Sequence, residues 1–202
     1  MKKTIIFDFG GVLIDWDPRH LYKKIFADDS EMEWFLGNVC TMSWNLEQDG
    51  GRPFADAVAL LQQQHPQYAE QIQAYHTRWH EMLNGSIEDT VTVLRELKQD
   101  GYTVYGLTNW SAETFPVALG LYDFLAELDG IVVSGVEKMV KPDIAIFNLL
   151  LQRYNLTPGQ CIFIDDNIYN IEAAANMGIE AIHFTSPAQL RQRLQELEVL
   201  PQ

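Results

Sequence analysis

Cysteine and positive charge are both scarce in this chain. Its two cysteines, Cys40 and Cys161, are far apart among 202 residues, which excludes a disulfide scaffold and points to a reducing compartment. Cys161 opens the apolar run Cys-Ile-Phe-Ile and reads as a buried thiol. Lysine and arginine total 14 against 28 acidic residues, a formal net charge of −14. A surface this acidic repels phosphate backbones and anionic lipid, so nucleic acid and membrane are excluded as partners. An anionic substrate is also repelled at long range, and a site for one needs a metal, a lysine and backbone amides close at hand. No apolar run approaches the length of a membrane span. After Met-Lys-Lys the apolar stretch is too short for a signal-peptide core before Asp8 interrupts it, so the expected location is the cytoplasm. There is no internal repeat, and Gln62-Gln63-Gln64 is too short to count as low complexity.

What is present is a substantial apolar fraction, 47%, enough for one α/β domain carrying an inserted subdomain. Thr4 to Phe7 is a continuous apolar run that stops at Asp8-Phe9-Gly10-Gly11, the pattern of a buried parallel strand ending in a glycine turn. Thr103 to Leu107, Ile131 to Val133, Cys161 to Ile164 and Ala181 to Phe184 repeat it, each followed by polar residues. Helical patterns lie between them. One is opened by a capping-box variant at Ser86, one by Pro142 with Ile144, Phe147, Leu151 and Tyr154 in step, and one runs from Asn167 to Met177 and closes at Gly178. The alternation predicts a Rossmann-like, doubly wound parallel sheet with ligands bound beyond the carboxyl ends of its strands. Residues 16–85 break the rhythm, with four of the five tryptophans and no clear buried strand. They read as a helical cap inserted into a core made of residues 1–15 and 86–202. The stretch from Gln189 to Glu198 reads as an amphipathic surface helix.

A lone aspartate after a strand often caps a turn, and Asp8 alone would carry that reading. Asp165-Asp166, Thr108 and Lys141 fall at comparable strand ends. Three crowded carboxylates repel unless a cation sits among them, and Mg²⁺ suits hard oxygen ligands. A carboxylate so held stays ionised and can attack phosphorus. Thr108 can donate to a phosphate oxygen, Lys141 can neutralise charge there, and the amides of the glycine turn and near Asn109 can complete the cradle.

Asp8-Phe9-Gly10-Gly11-Val12-Leu13-Ile14-Asp15, Leu107-Thr108-Asn109, Lys141-Pro142 and Phe163-Ile164-Asp165-Asp166-Asn167 with Asn170 resemble, in order, the four motifs of the haloacid dehalogenase superfamily. The resemblance spans essentially the whole chain and matches residues 16–85 to the family's helical cap. It implies a Mg²⁺-dependent phosphatase that hydrolyses a small phosphorylated metabolite. Asp8 is then the phosphorylated nucleophile and a metal ligand, beside the carbonyl of Gly10 and Asp166, with Asp165 acting directly or through a water. Thr108 and Lys141 complete the catalytic set. Gly11, Asn109, Trp16 and Trp44 become candidate substrate contacts.

One departure stands out. Phosphatases of the family usually have an aspartate two residues after the nucleophile, as general acid and base, and here that position is Gly10. Either the chain is similar to the sugar-phosphatase-like members with Asp-x-Gly in this motif, or Asp15, Asp17 or His20 substitutes, or the protein binds without turnover. The namesake reaction, dehalogenation of 2-haloacids, is a rival. Its enzymes have an aromatic residue at position 10 and lack the acidic pair, so Asp165-Asp166 favours phosphate.

The remaining candidates have bland readings beside functional ones. Trp44 either packs between cap helices or faces the substrate, and Trp110 reads as packing. His76 and His80 have the spacing of a zinc pair but no evident third ligand. His183 reads as structural, and Glu172 and Asn176 as solvent-facing. Oligomeric state leaves no trace in the sequence.

Overall fold

The computed structural model describes residues 2–202. Among the described residues seven strands occur in chain order: β1 (Thr4–Phe7), β2 (Ile14–Trp16), β3 (Leu83–Ser86), β4 (Val104–Thr108), β5 (Gly130–Val133), β6 (Cys161–Asp165) and β7 (Glu180–His183). Five of them form one sheet in the order β5-β4-β1-β6-β7, with every neighbouring pair parallel. From β1 the chain winds outward through β4 and β5, then returns to β6 and β7 on the other side. The point of reversal is the carboxyl end of β1, where such sheets bind ligands.

Side chains alternate between two cores, one on each face of the sheet. Ile5, Phe7, Ile162 and Ile164 enter one cluster with the helices Glu88–Gln99 and Pro187–Glu196. Ile6, Cys161 and Phe163 enter the other with the helices Ile144–Arg153 and Ile168–Asn176. Burial on both faces is why these strands read as continuous apolar runs. Each fully buried Ile, Leu or Phe contributes roughly 1.5–3 kcal/mol.

Two local expectations are corrected. Ser86 does not cap a helix: it is the last residue of β3, paired with Ile14, and the following helix starts at Glu88 without a side-chain cap. Strand pairing engages its backbone, and its hydroxyl donates to Glu88 instead. The helix after Lys141 starts at Ile144, with Asp143 as N-cap accepting from the Ala145 amide at 2.9 Å. Its buried face is therefore Ile146, Phe147, Leu150 and Leu151, and Ile144 is exposed.

Between β2 and β3 the chain forms the helices Pro18–Tyr22, Asp29–Asn38, Met42–Asp49, Phe54–Gln64 and Ala69–Thr77. β2 and β3 pair antiparallel, Ile14 with Ser86 and Trp16 with Leu83, as a two-stranded stem that residue patterning did not reveal. Asn84 and Gly85 are poor strand formers, and pairing across the whole insert overrides them. The insert packs around aromatic rings: Tyr22 lies 5.0 Å from Phe35, and Trp44 meets Tyr75 edge-on at 4.9 Å. Its buried residues join the cluster on the β1 Phe7 face, so insert and sheet share one apolar core. No helix among the described residues is long and apolar enough to cross a membrane.

Candidate active site

Asp8 leaves β1 directly into the glycine turn. Its Oδ1 takes the Phe9 amide at 2.7 Å and the Lys141 ammonium at 2.9 Å. Both contacts fall on one oxygen, and the residue lines the cleft at the sheet edge. Lys141 is fully buried and spends its donors on Asp8, on the Leu107 carbonyl at 2.9 Å and on Asp165 at 2.7 Å. Asp165 is also fully buried and accepts from the Asn167 amide at 2.8 Å and from Asn170 at 3.0 Å on both oxygens. Asp165 is thus the counter-ion that holds Lys141 against Asp8. Burial alone would lower the Lys141 pKa, but Asp165 and Asp8 outweigh it and leave the ammonium above its ordinary value.

Asp166 is the free carboxylate of the pair. It is exposed at the cleft and lies against Gly11, whose backbone has φ +74. A Cβ at Gly11 would stand 2.4 Å from Asp166 Oδ2 and would displace that carboxylate, and the positive φ favours glycine there. At Gly10 the situation is reversed: no atom lies within 4 Å of a Cβ built there. Asp8, Asp165 and Asp166 bring ligand oxygens within 4.8 Å of one another. Burial, with Asp165 and Asp166 nearby, pushes the Asp8 carboxyl up to about 8 despite Lys141. Excess acceptor charge held that close suits a hard divalent cation. Thr108 Oγ1 and Asn170 Oδ1 are among the polar atoms buried without partners, as are Trp16 Nε1 and Trp110 Nε1 of the cleft wall. Thr108 ends β4, and its unpartnered hydroxyl is a donor that could serve an oxyanion. The donor set therefore fits both Mg²⁺ and a phosphoryl group.

Asn109 has a structural task as well. Its amide donates to the Lys141 carbonyl at 3.0 Å and accepts from the Lys141 amide at 2.8 Å, stapling the second motif to the third. It also lines the cleft.

The cleft, about 440 Å³, is walled on the insert side by Trp16, Met42, Leu46 and Trp79, with Trp110 from the sheet edge. Trp44 is not in its wall: the ring is buried against Tyr75 and Phe54. Trp110 does both, lining the cleft while packing 5.4 Å from Trp79. Asp15, Asp17 and His20 lie away from the cleft wall. Asp15 takes the His20 ring nitrogen at 3.0 Å and Asn84 at 2.8 Å, tying the stem together. Asp17 caps the helix Pro18–Tyr22. His76 stacks on Phe54 at 4.7 Å. His183 donates to the Asp166 carbonyl at 2.9 Å. Glu172 and Asn176 are exposed. Asn45 and Asp49 line the cleft from the helix Met42–Asp49; both lie in the polar stretch from Trp44 to Arg52, which the family resemblance turns towards the active site, although the sequence does not single out Asp49 as a functional residue.

Comparison with known proteins identifies the family and the fold. A family described as haloacid dehalogenase-like hydrolase matches residues 2–178. The chain is 29% identical to a sesquiterpene phosphatase of Aspergillus oryzae over 196 residues, 96% of each chain. It is 26% identical to an (S)-2-haloacid dehalogenase of a Pseudomonas species over 132 residues, 61% of this chain and 57% of that one. Its fold is similar to that of a Bacteroides thetaiotaomicron enzyme solved with magnesium and inorganic phosphate. The TM-score there is 0.69 at 24% identity, covering 92% of this chain and 96% of the other.

Proposed function

The chain belongs to the haloacid dehalogenase-like hydrolases, and from that premise we propose that it is a Mg²⁺-dependent phosphatase acting on a small phosphorylated metabolite through an aspartyl phosphate on Asp8. The observation that carries this reading is the arrangement of Asp8. Lys141 and Phe9 hold its Oδ1, so Oδ2 is the oxygen left to meet a phosphoryl group entering the cleft. Mg²⁺ held by Asp8, the Gly10 carbonyl and Asp166 would neutralise charge between nucleophile and phosphate. Thr108 Oγ1, now without a partner, donates to a phosphoryl oxygen. Lys141 offsets the remaining charge, and Asp165 with Asn170 keeps it aimed. Asp8 Oδ2 attacks phosphorus, the leaving oxygen departs, and water then cleaves the acyl phosphate.

The aromatic and apolar wall of the cleft favours a substrate with a ring or hydrocarbon face next to its phosphate. The relative from Aspergillus oryzae, whose name gives a sesquiterpene phosphatase, supports the same preference. Dehalogenation is disfavoured because Asp166 stands free at the metal position and position 10 has no aromatic ring. The test is phosphate release from a panel of phosphate esters with Mg²⁺. The expected result is turnover that stops with EDTA and is absent in Asp8→Asn. Metal-independent turnover, or release of halide from a 2-haloacid at a comparable rate, would overturn the reading.

A further inference from the structure

The cleft contains one carboxylate that the chemistry above leaves unused. Asp49 ends the helix Met42–Asp49 and lines the same cleft as Asp8, Gly10 and Lys141. Its place is fixed from two sides. The Asn45 amide donates to its Oδ2 at 2.9 Å, and the Tyr75 hydroxyl donates to Asn45 Oδ1 at 2.9 Å. Its backbone carbonyl accepts from Ser134 Oγ, at the end of β5, at 2.6 Å. Asn45 and Tyr75 are buried, so the chain behind the carboxyl group is neutral and closed to water. Asp15, Asp17 and His20, by contrast, are bound into the stem.

We propose that Asp49 is the general acid and base of the reaction, reaching from the insert the place that a side chain at position 10 would otherwise serve. The inference rests on the phosphatase reading. As the bond from phosphorus to the leaving oxygen breaks and Asp8 Oδ2 bonds to phosphorus, protonated Asp49 gives its proton to the leaving oxygen, which departs as an alcohol. Asp49, now a carboxylate, takes a proton from the water that attacks phosphorus. The Asp8–phosphorus bond breaks, phosphate leaves, and Asp8 is ionised and Asp49 protonated as at the start.

The surroundings suit that role. Burial pushes the Asp49 carboxyl up to about 7, with the Ser111 amide and Lys141 pulling the other way. A position at a helix carboxyl end adds to the preference for the neutral form. The titratable groups sharing its cleft are Asp8, Asp166 and Lys141, with Tyr75 behind Asn45. An acid near neutrality is the most effective donor at neutral pH.

The experiment compares turnover of p-nitrophenyl phosphate, whose leaving group needs no proton, with that of glycerol 2-phosphate, whose leaving group does. Asp49→Asn should lower kcat/KM, which reports the steps up to departure of the leaving oxygen, by roughly 10²–10³ on the alkyl ester and by less than about tenfold on the aryl ester, while loss of the base lowers kcat on both. Adding Gly10→Asp, for which the structure has room, should restore at least about tenfold of the alkyl activity. In the unaltered protein, kcat/KM for the alkyl ester should fall relative to that for the aryl ester as pH rises through about 7, where Asp49 loses its proton; this arm stands even if Asp49→Asn fails to fold. Equal losses of kcat/KM on both esters without rescue, an undiminished alkyl kcat/KM in Asp49→Asn, or a wild-type alkyl-to-aryl ratio that does not change with pH overturns the inference and leaves the phosphatase reading in place. A wild-type protein that turns over neither ester overturns both.

Discussion

The sheet edge and the helical insert each hold carboxylates at the same cleft, by opposite means. At the sheet edge, Asp8 and Asp165 share one buried ammonium, that of Lys141. In the insert, Asp49 is backed by an amide and a phenol, neither of which demands that it be ionised. The first arrangement keeps Lys141 paired with Asp165 while a phosphoryl group passes to and from Asp8. The second suits a group that must change charge twice in each turnover. The contrast also explains why the two regions tolerate change differently.

Removing the nucleophile gives the largest effect. Asp8→Asn should lower turnover by at least about 10⁴-fold, the scale seen when a covalent nucleophile is lost, with the melting temperature nearly unchanged because the amide relieves a crowded carboxylate. A folded, fully active Asn variant would erase the distinction between the two regions. Lys141→Met attacks the fixed charges directly. It strands Asp165 without its cation and should cost about 3–5 kcal/mol in denaturant unfolding, even though the site is small.

The insert should answer to pH through Asp49. A carboxyl whose folded pKa is raised to about 7 binds a proton more tightly in the folded than in the unfolded state. Its contribution to stability is complete below the unfolded value near 4 and is lost as pH rises through about 7. Wild type and Asp49→Asn should therefore melt alike near pH 4 to 5, and the Asn variant should gain on wild type towards pH 8. A difference that shrinks with rising pH reverses the sign and contradicts the burial argument. Tyr75→Phe removes one neutral hydrogen bond behind Asp49 and should cost only about 1 kcal/mol. The smallest effects belong to the stem. Asp15→Asn and His20→Ala should change kcat by no more than about twofold, on the order of the 0.5 kcal/mol typical of substitutions away from a site.

What was legible in the sequence follows the same division. The sheet-edge groups sit directly after strands, so an apolar run followed by Asp8, Asn109 or Asp165-Asp166 marks both the fold and the position of the group. The family model over residues 2–178 and the parallel order β5-β4-β1-β6-β7 agree with the fold expected from those runs. The insert offers no such marker. Asp49 reaches the cleft because the helix Met42–Asp49 ends against Ser134, a contact between residues far apart in the chain. Trp44 points into the insert rather than the cleft for a reason equally invisible in the sequence, the packing of Tyr75 and Phe54. Ser86 shows local chemistry overruled outright, since β2 claims its backbone from across the insert. Proximity in sequence to the glycine turn made Asp15, Asp17 and His20 attractive as acids, but the pairing of β2 with β3 turns that segment into the stem.

The central claim is that Asp8 carries the phosphoryl group. The most direct test quenches the protein in acid during turnover of acetyl phosphate with Mg²⁺, reduces the acyl phosphate with borohydride, and reads the tryptic peptide Thr4–Arg19 by tandem mass spectrometry. The account predicts conversion of Asp8 to homoserine, none at Asp15 or Asp17, and none anywhere when EDTA is present. Homoserine at Asp15 or Asp17, or full phosphate release with no acyl phosphate at Asp8, would contradict it.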